Sequence, residues 1–172
     1  MDYEIDVIFE AEDEFLPKSD EIISLITKIL ENHKAKQAEI SIAFVNDAEI
    51  IELNKNYFNK STPTDVISFN LDEESDNLEV LDYKKIPQAD ADVLEQCVIE
   101  NEFVEGEIIV NADEAARAAG DYGNTSQQEV LTYVIHGLLH ILGYDDLEEQ
   151  KKKIMWIFQN YYFDKFVISE GS

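Results

Sequence analysis

A chain of 172 residues, 45% of them hydrophobic, is long enough for one domain with a real core. Its 13 basic and 38 acidic residues leave a formal charge of −25, a field that repels nucleic acid and anionic membrane at long range, so a polyanionic substrate needs a local exception. The single cysteine, Cys97, excludes an intramolecular disulfide scaffold or a Cys-rich metal cluster; the acidic first residues and the lack of a long apolar run speak against a secretory signal or membrane span, so the expected location is the cytoplasm.

In chain order, Tyr3, Ile5, Val7 and Phe9 alternate with mostly acidic neighbours, the period-2 pattern of a half-buried strand. Ser19 or Asp20 then opens a helix with Ile22, Leu25, Ile26, Ile29 and Leu30 on one face, ending near His33. His33, beside Lys34 and Lys36, reads as a surface histidine facing the helix dipole. Ile40, Ile42 and Phe44 mark a second strand. Asn46 with Glu49 forms a capping box for a short helix that turns Ile50, Leu53 and Tyr57 inward. Pro63 ends the following loop, and residues 66–71 return to extended structure. Residues 72–105 form an acidic excursion without clean periodicity, read as a solvated surface segment.

Beyond it, residues 106–110 read as a strand, and Asn111 or Asp113 opens an alanine-rich helix closed by Gly120. Ser126 and Glu129 form a second capping box for a helix containing Val130, Val134, Leu138 and Ile141, with Gly143 as its left-handed exit. A last amphipathic helix covers residues 147–166, with Ile154, Phe158 and Tyr161 on its stripe. The expected product is a single α+β domain, a small mixed sheet of about four strands packed with about five helices.

The chemistry concentrates in residues 132–146. His136 and His140 lie four apart on a helix, so their imidazoles project from one face over successive turns and can share a cation. The turn at Gly143 brings Asp145 and Asp146 back toward the rings, offering a carboxylate as third ligand. Three protein ligands leave one position open to water, the arrangement of catalytic zinc. Histidines at this spacing also occur on helices without metal. Here two of the chain's three histidines sit in an otherwise apolar helix, where a buried imidazole needs a partner.

Read together, His136-Gly-Leu-Leu-His140-Ile-Leu-Gly143-Tyr-Asp145-Asp146, the upstream residues Leu53-Asn54, Tyr57 and Pro63-Thr-Asp-Val-Ile-Ser-Phe69, and Gly106-Glu-Ile-Ile-Val110 resemble the motifs of the YbeY endoribonuclease and ribosomal RNA maturation factor family. The resemblance covers residues 3–166. It implies an α+β fold, one zinc ion, and a role in maturing the 3′ end of the small-subunit rRNA and in ribosome quality control. RNA, a 16S rRNA precursor above all, and the small ribosomal subunit or its associated proteins are the implied partners. The chain departs from the family at Asp146, where a histidine is usual, and at Phe58, where an arginine follows the tyrosine. Aspartate still suits Zn²⁺, and Lys60 or Arg117, the chain's only arginine, are candidate substitutes for the phosphate-binding cation.

On this reading His136, His140 and Asp146 hold the metal, and Asp145 is the candidate for proton transfer. Two other classes stand beside it. The ligand spacing matches metzincin proteases, but Gly137 occupies the position where they carry a catalytic glutamate. The other is a non-catalytic ribosome-assembly protein in which the metal pins the helix end to the loop.

Overall fold

The computed structural model describes residues 2–11, 13–58, 66–70, 102–144 and 149–168, and in it the alternating segments pair into one four-stranded sheet. The strands are β1 (Asp2–Phe9), β2 (Gln37–Val45), β3 (Val66–Asn70) and β4 (Phe103–Asn111), in the order β1-β2-β4-β3. β1 and β4 both run parallel to β2, whereas β3 is antiparallel to β4, so the sheet is mixed. With the helices α1 (Ser19–Asn32), α2 (Asp47–Phe58), α3 (Ala112–Ala119), α4 (Ser126–Ile141) and α5 (Glu149–Tyr162), this is the expected α+β architecture. None of the described helices is long and apolar enough to cross a membrane.

The period of two decides which residues meet which layer. Ile40, Ile42 and Phe44 of β2 share one buried face with Ile108 and Val110 of β4, and α1, α4 and α5 cover it. Val45, Ile67 and Ile109 emerge on the opposite face, where Ile50 of α2 seals a smaller cluster. Flanked by β2 and β3 and covered on both sides, β4 is the strand that needs the continuous apolar run Ile108-Ile-Val110. The stripe on α1 is buried along its length.

Several boundaries differ from the sequence reading, each for a local reason. β4 begins at Phe103, inside the segment read as an excursion, because Phe103, Val104 and Glu105 pair with Gln37, Ala38 and Glu39, and Val104 has the right phase to be buried. The rest of that excursion, residues 72–101, lies outside the described residues and includes Cys97; Leu71, at the end of the extended segment before it, lies outside them too. The box that opens α4 is formed by Thr125 and Gln128, one position before the expected pair; Thr125 has the extended backbone that a cap requires, while Ser126 is already helical. Gly120 keeps a right-handed backbone and leads α3 into a 3₁₀ turn, and the left-handed residue is Gly123, at φ 71°. On α5 the deeply buried tyrosine is Tyr162, with Tyr161 only half-buried, because Tyr162 continues the four-residue spacing of the buried Ile154 and Phe158; a π-type turn follows over Phe163–Ile168.

His33 corrects the sequence reading most. It is fully buried, with the Tyr162 hydroxyl 2.8 Å from its Nε2 and the Tyr144 hydroxyl 3.4 Å from its Nδ1. The rings of Tyr144, Phe158 and Tyr162 surround it. A histidine read as a surface cation is therefore the polar centre of an aromatic cluster joining the end of α1, the exit of α4 and the end of α5. Burial at this centre raises the Tyr162 hydroxyl well above the ordinary tyrosine range.

Candidate metal centre

α4 lies directly on β3 and β4 because Gly137 has no side chain. A Cβ there would stand 2.8 Å from Ile108 Cγ2 and 3.3 Å from Val66 Cγ2. With that face pressed on the sheet, His136 and His140 point elsewhere: between Tyr133 and Leu142 they are the two residues that are not buried. Position 137 also disposes of the protease reading. A side chain there faces the sheet, so a glutamate could not serve a metal held by the histidines.

The two imidazoles meet at their ε nitrogens. His140 Nε2 is 3.1 Å from His136 Nε2, and the ring centroids are 4.7 Å apart at 80°. Two imidazole nitrogens bound to one tetrahedral zinc at about 2.0–2.1 Å are separated by about 3.3 Å, so the pair fits a shared ion with little adjustment. A residue that the sequence reading missed completes the arrangement. Gln159 of α5 places its Oε1 2.8 Å from His136 Nδ1. An amide oxygen only accepts, so this contact suits the tautomer with its proton on Nδ1 and Nε2 as the coordinating nitrogen, the orientation that ligand histidines receive from an outer partner.

Past the helix, Gly143 adopts φ 109° and the Tyr144 amide donates to the Leu139 carbonyl at 3.0 Å, the left-handed reversal expected at this end. Asp145 and Asp146 lie outside the described residues, and among the described ones no third His, Cys, Asp or Glu joins the pair. Lys60 is also outside them, as is the side chain of Phe58 at the end of α2.

Arg117 is engaged within the protein. Its guanidinium donates to both oxygens of Asp47, at 2.6 and 2.8 Å, and to Glu114 at 2.6 and 3.1 Å. Asn111 donates to Asp47 as well, while its own Oδ1 caps α3 by accepting from the amides of Asp113 and Glu114. The Asp113 carboxylate in turn accepts from the Asp47 amide. These bonds tie the first turns of α2 and α3 together. Arg117, then Asn111, hold the Asp47 carboxyl well below the usual carboxylate range, at about 2, and the same carboxylates raise the pKa of Arg117 further.

A mixed sheet carrying a helix whose paired histidines converge on one point defines a class of α+β proteins with a candidate metal site on a helix. The comparisons give the family. The model described as endoribonuclease YbeY matches residues 7–167. The endoribonuclease YbeY of Staphylococcus carnosus is 34% identical over 157 residues, covering 91% of this chain and 90% of that protein. That of Bacillus licheniformis is 31% identical over 172 residues, covering 96% and 99%. A solution structure from Thermotoga maritima superposes with a TM-score of 0.60 at 27% identity, covering 96% of this chain and 91% of that one. The chain belongs to the YbeY endoribonuclease family.

Proposed function

We propose that the protein is a metal-dependent endoribonuclease, specific for single strands, that acts in the cytoplasm on the 3′ end of a 16S rRNA precursor and in ribosome quality control. The observation that carries the reading is the meeting of His136 and His140 at 3.1 Å with Gln159 behind the first of them, an arrangement a core histidine pair does not need. His136, His140 and Asp146 are the residues that would hold one zinc ion. When bound, the ion supplies Lewis acidity at a phosphoryl oxygen and an activated water.

The chain's own residues supply the rest. Gln159 contacts His136 Nδ1 and orients its ring, and Gly137 sets the depth at which α4 presents both rings. Asp145 is assigned the proton transfer to the leaving oxygen. Lys60 is the cation assigned to RNA phosphate; Arg117, the other candidate, would first have to leave Asp47 and Glu114. With a charge of −25 the chain cannot attract RNA by its overall field, so docking on the small ribosomal subunit or its bound proteins brings substrate to the site.

Metal analysis of protein purified without added zinc tests the proposal. About one equivalent is expected in the wild type, with loss of the metal and of single-strand RNA cleavage in His140→Ala. Asp146→His should keep or tighten binding. Unchanged metal content in His140→Ala overturns the metal site. A metal-loaded wild type that cuts no RNA overturns the enzyme reading in favour of a non-catalytic assembly protein.

A further inference from the structure

A cavity of about 540 Å³ opens between α3, α4 and α5, and His136 belongs to its wall. On α4 the lining residues Glu129, Thr132 and His136 recur every three or four positions and so form one stripe running from the histidines toward the start of the helix. Facing it, α5 contributes Trp156, Gln159 and Asn160. The volume lies within the range of pockets that take small organic groups, about 300–1,000 Å³.

Trp156 is the unusual member of this wall. Its indole is 52% exposed, and Lys152 Nζ stands 5.1 Å from the ring centroid. A lone exposed aromatic is ordinary on a protein surface. This one overlooks the cavity that also holds a candidate metal ligand, and it brings a cation to its own rim.

The charges around the cavity say what it accepts. No lysine or arginine is among its described lining residues, so it offers nothing to a buried phosphate. Its two carboxylates are already occupied: Glu114 pairs with Arg117, and Glu129, 4% exposed, accepts from Asn124 at 3.1 Å. The Asn160 amide, by contrast, is solvent-exposed on the wall and can both donate and accept. An uncharged, planar, hydrogen-bonding group suits this surface, with its phosphate left outside near Lys152.

We infer that this cavity is a nucleobase subsite, in which one base of a single-stranded RNA stacks on Trp156 with its hydrogen-bonding edge toward Asn160 and Thr132. The inference rests on the RNA reading above and deepens it. A base held in a duplex cannot leave its stack without cost, so a stacking platform beside the histidines gives single-strand preference without a cationic groove. It also provides the local exception by which a chain of charge −25 can hold RNA.

The chain has one tryptophan, so fluorescence excited at the red edge, where its eight tyrosines do not absorb, reports Trp156 alone. The full-length protein is titrated with a single-stranded 2′-O-methyl hexaribonucleotide, the abasic backbone of equal length, and the matching duplex. Saturable quenching is expected with the single strand only. Binding of the fluorescein-labelled hexamer, followed by anisotropy, should weaken roughly tenfold or more in Trp156→Ala and stay within about threefold in Trp156→Phe, which keeps an aromatic face. Asn160→Ala should alter the ranking of homopolymeric oligonucleotides while leaving the abasic backbone unaffected. Equal quenching by the abasic strand, or an unchanged Kd in a folded Trp156→Ala, overturns the subsite. RNA cleavage is assayed on the same preparations. Cleavage by wild type with no effect at Trp156 defeats the subsite and leaves the nuclease reading intact, whereas base-dependent quenching without cleavage by the metal-loaded protein supports the subsite and defeats that reading.

Discussion

Gln159 Oε1 lies 2.8 Å from His136 Nδ1, so a side chain on α5 holds one ring nitrogen of a histidine on α4 while the other, Nε2, faces His140. Replacing it with leucine removes the acceptor and lets the imidazole rotate or change tautomer. Gln159→Leu should weaken zinc binding by about 10–100-fold in a chelator competition, and Gln159→Glu, which keeps an acceptor oxygen, should preserve it. Undiminished affinity in the leucine variant would show that the contact does not orient a ligand.

Gly137 permits close approach between a helix and a strand, and it tolerates no added volume. Because the β-branched Ile108 has no space to retreat, Gly137→Ala should lower unfolding stability by about 1–3 kcal/mol in urea titrations. Combining it with Ile108→Ala should cost less than the sum of the single changes, since the clash is then gone. Gly137→Glu should unfold the domain or leave casein uncut. A folded variant with new peptidase activity would contradict the placement of this residue.

The buried His33 predicts a second kind of loss. His33→Leu removes the imidazole that the buried Tyr162 hydroxyl contacts, and should cost about 1–3 kcal/mol. Tyr162→Phe in the His33→Leu background should restore part of that stability, because the orphaned hydroxyl is removed with it. Calorimetric melting of His33→Leu, Tyr162→Phe and the double variant decides the point, and additive losses would mean that the two groups are not coupled.

Asp47 carries a pH dependence whose sign follows from its lowered pKa. The folded value of about 2 lies below the ordinary 3.8, so the ionised carboxylate contributes stability above pH 3.8 that is lost as pH falls through about 2. The pair with Arg117 is partly solvent-exposed, which limits the contribution to about 1 kcal/mol or less. The stability gap between wild type and Asp47→Asn should therefore be constant from pH 7 to 5 and close toward pH 2. Urea midpoints across that range measure it, and a gap that widens on acidification would contradict the assignment.

Much of this protein is written in local order. The alternation in β1 and β2, the stripe on α1 and the i, i+4 spacing of His136 and His140 are periodic facts, and a strand or helix of L-residues has no freedom to display them otherwise. Gly143 was legible in the same way, because a left-handed reversal after a helix favours glycine. The tertiary structure alone decided the partners of these groups. Gln159 meets His136 across 23 positions, Arg117 meets Asp47 across 70, and Tyr162 meets His33 across 129. No periodicity within one element can announce such contacts, since they depend on how two elements are set against each other. For the same reason His33, beside two lysines in sequence, is buried in space, and Gly137, which reads as a missing catalytic side chain, is the point where α4 rests on the sheet.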